Sequence, residues 1–212
     1  MCKEKQYGGS LHFYDDLQIL EREDEPLSRK ERLQAVEKPL LSWYHSRARI
    51  LPWREDPKPY KVWISEIMLQ QTRVAAVLDY YRRFLEALPT VADLAAVPED
   101  ALMKLWQGLG YYSRARNLQK AARQIVENFG GVFPNTYDEI RSLAGVGDYT
   151  AGAVASIAFG LPVPAVDGNV LRVVTRITGD TGTLRLRRSS GGSRRRCVRS
   201  SRRKRPASSI RP

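Results

Sequence analysis

From Ser28 to Ile177 the chain repeats one pattern: apolar residues at helical spacing, interrupted only by prolines, glycines and capping residues. Leu33, Val36, Leu40, Leu41 and Tyr44 form the first such stripe, with Pro39 predicting a bend, and a proline-rich connector (51–59) follows. Residues 60–88 read as two helices. Thr90 caps a short helix ending near Val97, and Pro98 opens another that Gly108 and Gly110 stop. Ser113 to Phe129 is amphipathic, with Leu118, Ala122, Ile125, Val126 and Phe129 expected inward and Gly130-Gly131 closing it. Thr136 and Glu139 have capping-box spacing. A helix of small residues spans Asp148–Phe159, and Asp167 begins one more, to Ile177. No alternating strand pattern, hairpin dipeptide or internal repeat is present, so the fold class is all-α.

Charge is partitioned as sharply as periodicity. The net +12 of the 212 residues lies entirely in the last 32, where 12 Lys and Arg meet no acid; the first 180 residues balance at 23 against 23. The basic excess therefore says nothing about the helical body, and any nucleic-acid role must rest on particular residues there. Residues 181–212, with 11 Arg and 7 Ser, cannot build a core and read as a disordered tail. Two origins are open for it: an Arg/Ser-rich nucleic-acid arm, or the favoured one, a shift of reading frame in GC-rich DNA with further helices encoded in another frame. Residues 1–27 read as a loosely ordered leader, and 28–180 as the domain. At 42% hydrophobic residues the chain has enough apolar side chains for a core, which excludes wholesale disorder. No membrane-length apolar run or signal segment is visible, which predicts a cytoplasmic protein. Cys2 and Cys197, the only cysteines, suggest neither a disulfide framework nor a four-cysteine metal site.

Four segments carry candidate chemistry. LAGVGDYTAGA (143–153) joins two helices, expected over 137–159, through a tight Gly145-Val146-Gly147 turn. Its glycines permit close backbone approach, and the turn and the following helix start aim N–H donors at a phosphate oxygen. A plain helical hairpin with a glycine cap is the alternative; Thr150 and Ala151, with Ala153 and Ala155 packing behind, favour DNA-phosphate binding, which positions a duplex without reading it. In VPAVDGNV (163–170), Asp167 sits at a helix start, where backbone donors keep a carboxylate ionised; on this motif alone an ordinary N-cap is the favoured reading. Gly168 permits close approach, and Asn169 is placed to orient the carboxylate or a phosphate. In YKVWISEIMLQQT (60–72), Glu66 lies among Val62, Trp63, Ile67 and Leu69. Desolvation raises a carboxyl there and makes it a general acid; equally open is a glutamate satisfied by Arg54 or a tyrosine hydroxyl. Gln70, Gln71 and Thr72 offer amides and a hydroxyl to base edges, or form a solvated helix end. WQGLGYYSRARN (106–117) suits base stacking and phosphate contact, or is a glycine-capped end with at least one of Tyr111 and Tyr112 in the core.

In this order and spacing, and together with LPWR (51–54) and GGVFP (130–134), these segments resemble the helix-hairpin-helix DNA glycosylase superfamily, and within it the MutY-type adenine DNA glycosylases, from about Leu40 to Ile177. The resemblance implies a two-lobed helical fold and excision of adenine paired with 8-oxoguanine or guanine in duplex DNA. It implies that Glu66 protonates the adenine, that Asp167 stabilises the sugar cation, and that Tyr149 and Asn169 assist. It implies that Gln71, Thr72, Leu109 and Tyr111 wedge into the duplex or touch the oxidised guanine. Arg54 would sit near the adenine, and Gly145, Val146, Gly147 and Thr150 at the phosphate. Lyase-type relatives carry a lysine after the hairpin aspartate; Tyr149 here implies a monofunctional enzyme, with water as the final nucleophile.

The departures from the family pattern concern the C-terminal part. Its members continue past the position of Ile177 with further helices and usually four cysteines holding a [4Fe–4S] cluster; this chain offers no C-x₂-C partner to Cys197, so no cofactor and no metal are expected in it. Ala144 stands where a proline is usual. The second lobe is expected to be incomplete, with apolar surface exposed along 28–50 and the cleft short of one wall. Expected partners are duplex DNA with A:8-oxoguanine or A:G pairs, bound by a monomer near the nucleoid, with no membrane. Two other readings stay open: a G·T or G·U mismatch glycosylase, and a DNA-binding fragment without turnover.

Overall fold

A computed structural model describes residues 26–180, and ten helices order this span: α1 (Arg29–Arg47), α2 (Pro52–Glu55), α3 (Pro59–Met68), α4 (Val74–Ala87), α5 (Val91–Ala96), α6 (Glu99–Trp106), α7 (Ser113–Phe129), α8 (Tyr137–Ser142), α9 (Asp148–Phe159) and α10 (Gly168–Thr178). No strand occurs among the described residues, as the periodicity predicts. The leader and the Arg/Ser tail lie outside them.

Local chemistry sets the boundaries. Ser28 and Glu31 form a full capping box at α1, and Thr90 and Asp93 another at α5. Thr136 accepts the Glu139 amide at α8. Gly130, Gly160 and Gly179 close α7, α9 and α10 in the left-handed conformation. Pro39 lies inside α1, which continues to Arg47; Ala35, whose carbonyl Pro39 cannot serve, is exposed. The connector 51–59 also holds a turn of helix: Pro52 starts α2, and Trp53, 6% exposed, anchors it against Tyr81 at 5.1 Å.

One hydrophobic core runs through α2 to α9, with Trp63, Ile64, Met68, Phe84, Leu94, Leu102, Trp106, Leu118, Ile125 and Ile140 fully buried. α3 is its axis, packing on α2, α4, α7 and α9; α5 lies along α7 and α8 along α9. α9 is buried by small residues from Thr150 to Ala155, which lets its neighbours approach closely. Gly152 is the tightest point: a Cβ there would stand 2.4 Å from the Pro164 carbonyl oxygen, so only glycine lets the connector 160–167 lie against α9. Val126, expected inward, is 38% exposed, since the buried face of α7 passes through Ala115, Leu118, Ala122 and Ile125 instead.

α1 and α10 pack on each other and form the beginning of a second lobe. Neither buries a residue, and Leu40, Leu41, Trp43 and Val173 stand roughly half exposed. Because the inner face of α7 belongs to the core and Val126 does not, Ile125→Ala is expected to cost about 2–5 kcal/mol. Val126→Ala is expected to stay within about 0.5 kcal/mol of the parent. Urea denaturation of the two variants checks this; equal losses would contradict the assignment of that face.

Candidate active site

The C-terminal half of α3 and the start of α9 face each other, and the chemistry collects between them. Val62, Glu66 and Leu69 share one side of α3, spaced as successive turns require. They line a cavity of about 220 Å³ together with Tyr149 and Ile157 of α9, Trp53 and Arg54 of α2, and Arg49, Leu51 and Val74. No lysine lines it.

The Tyr149 hydroxyl lies beside the Glu66 carboxyl, placed to act on it as a hydrogen-bond donor. Three influences act on Glu66: burial, which is the largest and raises its pKa; the Tyr149 hydroxyl, which lowers it; and the charge of Asp167, which raises it. Burial prevails, and Glu66 stands above the ordinary glutamate value of 4.5. The same surroundings push Tyr149 up to about 12, by burial first and then by the charges of Glu66 and Asp167. The two readings of Glu66 are thus both visible: a tyrosine hydroxyl stands beside it, and its pKa is still raised. Arg54 does not pair with it; its guanidinium donates to the Arg49 carbonyl at 3.2 Å and lies 5.7 Å from the Tyr44 ring.

Asp167 is the N-cap of α10. Its Oδ1 accepts the Val170 amide at 2.8 Å and its Oδ2 accepts Asn169 Nδ2 at 2.9 Å. Asn169 in turn accepts Arg172 at 3.4 Å. Asp167 does not line the cavity, but its charge reaches both Glu66 and Tyr149. The connector that leads to it lies against Gly152 of α9 through Pro164 and Ala165.

The helical hairpin is built as a separate surface. Gly145 has φ +75° and a Cβ there would meet Asn117 Cβ at 2.7 Å, so fold alone demands glycine. Gly147 differs: its φ is −94° and a Cβ would meet nothing within 4 Å, so the fold makes no such demand. Gly147 is the N-cap of α9 with no side chain capping it. Gln124 of α7 holds the turn by accepting the Ala144 amide at 2.8 Å, and Arg141 pairs with Asp148 across α8 and α9. Val146 and Thr150 are buried, at 5% and 4% exposure, and the Val146 amide donates to the Leu143 carbonyl. Their side chains serve the packing of the hairpin.

Gln71, Thr72 and Tyr111 gather at a third place, where the segments after α3 and before α7 meet; a shallow depression between them is lined by Gln70, Gln71, Tyr111, Ser113 and Arg114. Leu109 is 7% exposed and belongs to the core. Neither Tyr111 (62% exposed) nor Tyr112 (39%) is in the core, contrary to the expectation that at least one would be. Arg114, grouped by the sequence with phosphate-contacting arginines, is 8% exposed and donates only inward. Sequence reasoning thus placed Arg114 on the wrong side, and it singled out neither Arg49, Trp53 nor Ile157 for the cavity. Ile157 had a signal in its spacing of eight from Tyr149, two turns along one face of α9.

Residues 64–188 match the family described as "HhH-GPD superfamily base excision DNA repair protein". The chain belongs to this family. Among curated proteins it is 50% identical over 152 residues to an adenine DNA glycosylase of Rattus norvegicus, covering 68% of this chain and 30% of that one. It is 49% identical over 138 residues to one of Buchnera aphidicola, covering 65% and 39%. The chain thus spans about a third of the length of these relatives. Among solved structures it is similar to a thermostable thymine-DNA glycosylase, with TM-score 0.66, 30% identity and 69% and 68% of the two chains covered. It is also similar to endonuclease III in a trapped covalent DNA intermediate, with TM-score 0.61, 31% identity and 70% and 68% covered. A [4Fe–4S] cluster does not fit the residues present: it takes four thiolates, this chain has two cysteines, and no group of three or more metal-ligating side chains occurs among the described residues. No helix among the described residues is long and apolar enough to cross a membrane.

The raised pKa of Glu66 has a consequence for stability. The unfolded glutamate releases its proton near 4.5 while the folded one still holds it, so stability falls as pH rises from there through the folded value. Glu66→Gln removes that loss. The variant is expected to gain in melting temperature over the parent at pH 7–8, with the gain disappearing at pH 4; an equal difference at both pH values would contradict the assignment.

Proposed function

We propose that this chain is the catalytic portion of an adenine DNA glycosylase that hydrolyses the N-glycosidic bond of adenine paired with 8-oxoguanine or guanine, without cleaving the strand. The observation that carries the proposal is the trio of Glu66, Tyr149 and Asp167: a carboxyl with raised pKa, an oriented hydroxyl and a second carboxylate within electrostatic reach, around a cavity without a lysine. About half of the matched residues are identical to those of proteins named for this activity, which is what favours adenine over thymine as the base removed. The likeness to the thymine-DNA glycosylase is at 30% identity and supports the shared fold.

The base leaves its stack and enters the cavity, at a cost of a few kcal/mol. Glu66 gives its proton to adenine N7, the bond from sugar C1′ to the base breaks, and the base keeps the bonding electrons and departs neutral. Asp167 faces the sugar cation that remains, both of its oxygens already held by hydrogen bonds so that it need not reorganise. Asn169 holds one of those oxygens and Tyr149 fixes the proton-bearing group. A water adds its oxygen to C1′ and returns a proton to Glu66, which restores the acid. Arg54, at the cavity edge, is placed to face the base. Tyr149 supplies no amine, so no Schiff base forms and the strand stays intact.

The hairpin supplies the grip on duplex DNA. Gly147 is open where the fold does not require it to be, beside an uncapped helix start, and a phosphate oxygen approaching those amides explains the glycine. Gln71, Thr72 and Tyr111 form the edge facing the opposite base. The domain of this activity runs from Ser28 to Asp180 and works as a monomer in the cytoplasm, on the nucleoid.

Purified protein offered A:8-oxoguanine and G·T duplexes in single-turnover assays tests the proposal. Excision of adenine alone is expected. Glu66→Gln and Asp167→Asn are each expected to slow it by at least ~100-fold while duplex binding is retained. Gly147→Leu is expected to weaken salt-sensitive duplex binding without lowering thermal stability. Binding with no excision by the parent would mark the chain as a DNA-binding fragment, and excision of thymine would assign it to the mismatch glycosylases.

A further inference from the structure

Among the described residues, only Gln71 (φ 58°) and Tyr111 (φ 48°) are non-glycine residues in the left-handed region. Forty residues apart, both sit in irregular segments that meet on one surface, and both carry exposed side chains. L-residues adopt this conformation only when the surroundings impose it. One buried side chain touches the backbone beside each of them. Arg114 Nη1 donates to the carbonyls of Ile67 and Met68 at 3.0 Å and of Gln70 at 2.6 Å; Nη2 donates to those of Leu109 at 3.0 Å and Gly110 at 3.2 Å. Gln70 immediately precedes Gln71, and Gly110 immediately precedes Tyr111. The guanidinium carbon lies 5.4 Å from the Trp106 ring and 5.5 Å from the Tyr111 ring.

The geometry points to Arg114 as a positioning residue that locks the segments 69–73 and 107–112 into one rigid edge and thereby presents Gln71 and Tyr111 together. The planar fork is suited to this. It serves two groups of carbonyls at once and adds a donor to the carbonyls at the end of α3, where a helix terminus favours a cation. A lysine has one nitrogen and cannot span both segments. The requirement is geometric rather than one of charge, so the conservative replacement fails. The mechanical half of this inference stands on the hydrogen bonds alone. The other half, that the edge distinguishes a mispaired duplex from a matched one, rests on the proposed function.

Arg114→Lys in the full chain tests both halves. Hydrogen exchange is read at the bonded amides of Gln70 and Thr72 on one segment and Leu109 on the other, with Ile125 and Val154 as core controls. Exchange is expected to accelerate at least ~10-fold on both segments together and to stay unchanged in the core. Affinity for a duplex containing A:8-oxoguanine is expected to fall to that for the matched duplex, with its salt dependence kept. Acceleration confined to one segment, or spread evenly through the core, overturns the lock. Preserved discrimination between the duplexes overturns its role in recognition. If the parent itself does not discriminate, the proposed function fails while the exchange result still decides the lock. Should Arg114→Lys not fold, Gln71→Gly and Tyr111→Gly answer instead. With Arg114 in place both segments are expected to keep slow exchange, although glycine frees the backbone, and discrimination is expected to be lost; fast exchange in these variants overturns the lock.

Discussion

The partial burial of the Glu66 carboxyl between two helices is the constraint on which the site depends. An ionisable group of this kind is costly to desolvate, and evolution of a simple core would place an apolar residue on that turn of α3. The rest of the arrangement tempers the cost without removing it. The Tyr149 hydroxyl, as a hydrogen-bond donor, draws the pKa down, and burial together with the Asp167 charge draws it up by more. The net result is a proton held beyond its ordinary range beside an open cavity, which is the property a general acid needs. The small residues of α9 are part of the same device. They let α3 and α9 close on each other, and Gly152 lets the following connector lie flat so that Asp167 comes within electrostatic reach.

Three working surfaces are therefore set by one rigid core. The cavity belongs to α2, α3 and α9; the hairpin turn is held by Gln124 and Asn117 of α7; the edge bearing Gln71 and Tyr111 is held by Arg114, also of α7. α7 is thus the common support of the hairpin turn and of this edge, and its inner face is buried from Arg114 to Ile125. The lobe formed by α1 and α10 is different in kind. It contributes Asp167 from the start of α10 and Arg49 from just beyond α1, yet its apolar residues Leu40, Leu41 and Trp43 stay half exposed.

Helix order and most helix ends were legible because their signals are local. Ser113–Phe129 and Asp148–Phe159 were read to the residue, since glycine caps and a change of periodicity fix both ends. Local signals failed where a distant contact decides. Trp53 turns a proline-rich connector into a helix by packing on Tyr81, which no neighbouring residue announces. Arg114 looks like its exposed neighbour Arg116 in sequence, and only the meeting of two remote loops makes it a buried clamp. Glu66 was singled out by its apolar surroundings, whereas its partner among the candidate tyrosines became visible only when α9 was seen to face α3. Val126 fell on the wrong side because a broad amphipathic face leaves its margin undetermined by spacing.

The most direct measurement is the titration of Glu66 itself, followed through its carboxyl carbon by NMR in the parent and two variants. The parent is expected to titrate above 4.5. Tyr149→Phe removes a donor that favours the charged form and is expected to move Glu66 further up; Asp167→Asn removes a repelling charge and is expected to move it down. A glutamate that titrates at the ordinary value and ignores both substitutions would mean that the three side chains do not share a site.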